Sequence, residues 1–191
     1  MRKKFLTTLG LVAVSLLTIS ARAEEGHREL GSHVHGHGTL NIAIEDKRVS
    51  MELEVPGMDI VGFEHAPSTD DQKAAIEKAK SQLEKPLAVF SLPAAAGCTV
   101  AEAHVAVEAE HGDDDQKHEE KDHPDHDDDA AGGHNQFEAN YALDCANPSE
   151  LTTITFDYFA LFAGAQDLTV NVVAAKGQSK YEVSRGKPTL D

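Results

Sequence analysis

Tryptophan is missing altogether, cysteine occurs twice, and aromatic residues make up only 5% of the 191 residues. So small a stock of large rings allows a modest core, in one or at most two small domains. Basic residues are also scarce: 17 Lys and Arg stand against 33 Asp and Glu, a formal net charge of −16. Such a chain has no basic surface with which to displace counterions from phosphate, which excludes nucleic-acid binding of that kind and docking on anionic lipid. Catalytic signatures are absent too. There is no G-x-S-x-G, no Gly-rich phosphate loop, no C-x-x-C and no H-E-x-x-H, and the Asp runs at 113–115 and 127–129 do not follow EF-hand spacing.

The longest apolar stretch, residues 5–19, is shorter than the roughly 20 residues that cross a bilayer. It follows Arg2, Lys3 and Lys4 and precedes Ala21-Arg22-Ala23. That order predicts a signal peptide over residues 1–23 and a mature chain starting at Glu24, exported and without membrane insertion after cleavage. No lipid-anchor Cys follows, because the first Cys is Cys98. Loss of the four basic residues in 1–23 takes the formal charge from −16 to about −20. In an exported chain Cys98 and Cys145 are expected to form a disulfide, with two free thiols or two thiolate metal ligands as the alternatives.

Residues 24–38 are polar and His-rich, without periodicity. From there, 39–191 reads as a single α+β domain of mainly antiparallel sheet, about seven strands with one main helix. Leu40, Ile42 and Ile44 alternate with polar or small residues, as do Val49, Met51, Leu53 and Val55 beyond a turn at residues 45–47: a hairpin with one buried face. Pro56-Gly57 ends it, and residues 58–67 are expected to be a packed loop. Ser68 or Thr69 caps a helix, with Asp71 or Gln72 reaching back, and Ile76, Ala79 and Leu83 share one face of it. Residues 87–92 and 151–162 read as strands, and further strands follow around Leu168, Val170 and Val172 and around residues 181–183. Residues 98–108 and 136–145 form another strand pair. Between these two lie residues 111–134, with five His, ten Asp or Glu and no apolar side chain larger than Ala. This insertion cannot bury enough surface to offset its ordering entropy and is expected to be disordered.

Eleven His are present, and all follow residue 23. His33, His35 and His37 form H-x-H-x-H; in extended backbone, residues two apart point the same way, so two of them could share one ion. Imidazole nitrogen and carboxylate oxygen are zinc donors, which makes Zn2+ the expected metal. The contrary reading is a flexible tail that catches metal weakly. His65, in the packed loop beside Glu64, is a further candidate ligand, against a ring that merely bonds backbone. His104 depends on register. If Cys98 sits directly opposite Cys145, Glu102 and His104 lie on the apolar face; a slip of one residue turns both to water and buries Val105 and Val107 instead. His111, His118, His123, His126 and His134 have no spacing that defines one rigid site, and with ten carboxylates among them they are expected to collect cations loosely.

Three features carry a family resemblance. They are His35-Gly36-His37-Gly38 running into Leu40-Asn41-Ile42-Ala43, the twelve residues from Pro56 to Pro67 (PGMDIVGFEHAP), and the Cys pair around a His/Asp-rich insert. With them the chain resembles the ZrgA-type periplasmic zinc-uptake proteins of Gram-negative bacteria, over the whole of the predicted mature chain. The resemblance implies a periplasmic zinc-binding accessory to high-affinity zinc import, working beside an ABC importer, and neither a transporter nor an enzyme. It brings no ligand set with it. Other readings remain: a metal-dependent envelope enzyme with Glu64 as its carboxylate, an interaction module with a structural metal, or a copper- or nickel-binding protein, since imidazole sites favour copper(II) by affinity alone.

Overall fold

The computed structural model describes residues 34–110 and 134–191. The predicted signal peptide, His33, and His111, His118, His123 and His126 lie outside these residues. The described residues fall within one unit, Ser32–Asp191.

The alternating pattern folds as expected into β1 (His37–Glu45) and β2 (Arg48–Pro56), joined at Asp46 and Lys47. Their antiparallel register sets Leu40 against Leu53, Ile42 against Met51 and Ile44 against Val49. All of these but Ile44 are buried. β4 (Cys98–Glu110) and β5 (His134–Cys145) form the second long pair, with the Cys98–Cys145 disulfide at its base. β7 (Asp167–Ala174) and β8 (Gly177–Ser184) form the third. Together they make one six-stranded sheet in the order β4-β5-β2-β1-β7-β8.

That sheet is mainly antiparallel, as expected, but not purely so: β1 and β7 run parallel, with His37 opposite Asp167 and Leu40 opposite Val170. Parallel neighbours need a long crossover. Here most of the domain intervenes, so no local pattern betrays the pairing. Short strands β3 (Phe90–Ser91), β6 (Ile154–Phe156) and β9 (Thr189–Leu190) form a second sheet, ordered β3-β6-β9. Two-residue strands are too short to show periodicity, which is why the strand count exceeds seven.

The main helix, α2 (Asp70–Leu83), starts at a capping box: Thr69 Oγ1 accepts from the Gln72 N–H at 3.2 Å, and Gln72 Oε1 accepts from the Thr69 N–H at 3.2 Å. Three other single turns correct the sequence reading. α1 (Gly57–Val61) occupies the start of the expected loop, α3 (Pro86–Val89) begins the apolar run expected as a strand, and α4 (Tyr158–Leu161) follows β6. Apolar runs of four or five residues do not separate strand from helix by pattern, and Pro86 at a first helical position favours the turn.

The core lies on one face of the large sheet. Leu40, Leu53, Phe137, Leu143, Leu168 and Val170 are fully buried there, packed with Ile76 and Leu83 of α2 and with Phe90, Phe156, Tyr158 and Phe162. The opposite face carries polar and small side chains such as Asn41, Glu52, Asn140 and Asn171, and no described element covers it.

Candidate metal centre

Two carboxylates are buried where β1 and β5 begin. Asp59 on α1 is 2% exposed and Glu64, just beyond that helix, is 9% exposed. Local geometry explains their depth. The Glu64 carbonyl accepts from the Asn135 N–H at 2.6 Å, and Asn135 Nδ2 donates to the His65 carbonyl at 2.7 Å. These bonds lash the 64–65 backbone to the first residues of β5. Gly164 lies over Asp59, so close that a Cβ there would come within 2.7 Å of the Asp59 backbone. Arg185 holds this cover in place, its guanidinium donating to the carbonyls of Phe159, Phe162, Ala163 and Ala165 at 2.6–3.1 Å.

Asp59 uses one oxygen to hold the chain that enters β1. Its Oδ1 accepts from the Gly36 N–H at 2.7 Å. Gly36 has φ +86°, a left-handed conformation that L side chains resist. This residue breaks the extended run expected for H-x-H-x-H, so His35 and His37 turn to different carboxylates. His35 Nε2 lies 3.2 Å from Glu64 Oε2 and 3.1 Å from Oε1. From the other side His134, the first residue of β5, brings Nδ1 to 2.8 Å from the same Oε2. Both imidazoles are well exposed while the carboxylate they grip is buried.

The polar balance of the pocket is incomplete. Asp59 Oδ2 has no hydrogen-bond partner, and Glu64 Oε1 is not aligned for one. A buried, unsatisfied acceptor costs about 1–3 kcal/mol, and more when charged. Burial pushes the Asp59 carboxyl above the ordinary range; the Gly36 N–H and the His35 side chain pull it down, while Glu64 and Asp167 push it up. A cation would relieve all of these unfavourable contributions together. Zinc bonds of about 2.0–2.2 Å in tetrahedral geometry place neighbouring donors roughly 3.3 Å apart, close to the His35–Glu64 separations of 3.1 and 3.2 Å and wider than the His134–Glu64 contact of 2.8 Å. As they stand, no three His, Cys, Asp or Glu side chains among the described residues are in metal-holding geometry.

A family model described as ZrgA family zinc uptake protein matches residues 32–191. The chain belongs to that family. No curated protein matches it.

Within this ZrgA family member the remaining sequence candidates are dispersed. His65 stacks on Phe63 with ring centroids 5.1 Å apart, and its Nδ1–H donates to the Ala66 carbonyl at 2.9 Å. Its Nε2 lies 3.4 Å from Gln72 Nε2, which ties the ring to the α2 capping box rather than to Glu64. His104 is exposed. Cys98 does face Cys145, but a bulge between Val100 and Glu102 shifts the register, setting His104 against Asn140 and Val105 against Ala139. Val105 is therefore buried and His104 turned to water, the outcome of a one-residue slip. His37 pairs with Asp167. Asp59 was not singled out in the sequence, although it lies with Glu64 inside the twelve-residue Pro56 to Pro67 motif, which was the available signal. No helix among the described residues is long and apolar enough to cross a membrane.

Proposed function

We propose that this protein binds zinc in the periplasm, capturing scarce ions and assisting their high-affinity import beside an ABC importer. Its ordered ligands are His35, Glu64 and His134. One observation carries the reading: a buried carboxylate reached by two exposed imidazoles from distant parts of the chain, at hydrogen-bond distances a metal could take over. Each exposed ring can bind the ion once the nitrogen facing Glu64 gives up its proton to solvent, or the ring takes its other tautomer, which frees the lone pair. Asp59 adds negative charge and fixes the turn that presents His35. Residues 111–133 supply further imidazoles and carboxylates as a loose collector, and residues 1–23 direct export. The protein acts by binding and release, not by catalysis.

The test is zinc stoichiometry and affinity by competition with a calibrated chelator. It uses the chain from Glu24, a variant lacking residues 111–133, and Glu64→Gln. The expected result is one tight site that survives removal of 111–133 and weakens at least tenfold in Glu64→Gln. If tight binding leaves with 111–133 and Glu64→Gln binds like the parent, the assignment fails. Circular dichroism with and without chelator separates a carrier, which stays folded when empty, from a module held together by structural metal.

A further inference from the structure

Gly36 divides two imidazoles, and the second has surroundings of its own. His37 opens β1 on the sheet face away from the core, where parallel pairing sets it beside Asp167 of β7. Its Nδ1 contacts Asp167 Oδ1. Its Nε2 lies 3.1 Å from Thr169 Oγ1, and the same hydroxyl lies 3.1 and 3.2 Å from the two oxygens of Glu182 on β8. With Nδ1 carrying its proton toward the Asp167 carboxylate, a neutral His37 presents a lone pair at Nε2. Thr169 has a single proton and two acceptors to serve, that lone pair and the Glu182 carboxylate. The arrangement is short of positive charge. It also has the form in which a carboxylate on one imidazole nitrogen orients the other toward a metal.

We propose that His37 Nε2 and the Glu182 carboxylate form a second zinc station, oriented by Asp167 and spaced by Thr169. The station rests on the zinc-capture reading for the identity of its ion, but not for its ligands. Two protein donors leave the other coordination positions to water, so this ion exchanges readily. His37 and Glu182 side chains are 36% and 59% exposed, open to solvent as a transfer point requires. Lys180 Nζ, 3.4 Å from Glu182 Oε1, is the competing cation that an arriving metal must displace.

Imidazole 15N NMR of the labelled chain from Glu24, titrated with Zn2+, tests this residue by residue. The His37 Nε2 resonance is expected to shift in the parent and equally in Glu64→Gln. Glu182→Gln is expected to abolish the shift, and Lys180→Ala to bring it to half-saturation at several-fold lower zinc. A His37 ring that ignores zinc overturns the station, as does a shift that survives Glu182→Gln. The two sites fail separately: His35 and His134 resonances report the first, and His37 alone reports the second.

Discussion

At the scale of single residues, the buried carboxylates set function against stability. Asp59 is almost wholly enclosed, and burial outweighs the Gly36 N–H and His35 in holding its proton. A carboxyl whose pKa is raised by folding stabilises the fold while protonated; that contribution is complete below the unfolded value and lost as pH climbs through the raised one. Asp59→Asn keeps an acceptor for the Gly36 N–H and removes the buried charge. We expect this variant to melt at higher temperature than the parent near pH 7 without metal, and to lose the decline in stability above pH ~4. The same substitution should weaken zinc binding, because it removes an anion beside the ligands. Thermal melts across pH with chelator competition check both signs, and a variant that gains affinity would refute the charge argument. His65 shows how little a residue type says by itself: its ring is spent on Ala66, Gln72 and Phe63.

Among the elements, local signals were legible where they were long or chemically explicit. The β1–β2 alternation and the Thr69–Gln72 capping box both formed as read. Thr69→Ala should cost about 1 kcal/mol, measurable by denaturant titration, and leave zinc affinity unchanged because α2 supplies no ligand. Short elements were not legible, since α1, α3 and α4 each span about one turn; the apolar runs of α3 and α4 fit a strand equally well, and the Gly and Pro residues around α1 read as a loop. The cover over Asp59 depends on a side chain that no motif marks. Arg185 satisfies four carbonyls, and Arg185→Ala should cost about 2 kcal/mol while also lowering zinc affinity as Gly164 lifts. Hydrogen exchange in residues 159–166 should rise in that variant; unchanged protection there would mean the cover holds itself.

At the scale of the whole molecule, distant pairings decide the architecture. The disulfide closes a separation of 47 residues, and loss of both cysteines should cost about 3–4 kcal/mol in the chain-entropy model. Denaturant unfolding of the Cys98→Ser/Cys145→Ser double variant measures this. A loss under ~1 kcal/mol would mean that the disulfide adds little constraint to the unfolded chain, as when that chain keeps residual structure between residues 98 and 145. Parallel pairing of β1 with β7 brings His37 to Asp167, while the docking of residues 64–65 on β5 brings Glu64 to His134. Neither meeting follows from spacing along the chain.

What the sequence determined by itself is chemistry and class. Charge excluded a basic nucleic-acid surface, eleven histidines pointed to metal, and alternation with a capped helix defined an α+β fold. Tertiary structure alone decided which donors meet. A left-handed Gly36 parts His35 from His37, and one bulged residue in β4 turns His104 outward. The physical reason is that side-chain direction depends on backbone conformation one residue at a time, and a single residue out of phase reverses the face. Residue types record which ligands a chain can offer; register and crossover, set by packing over long separations, choose those that converge.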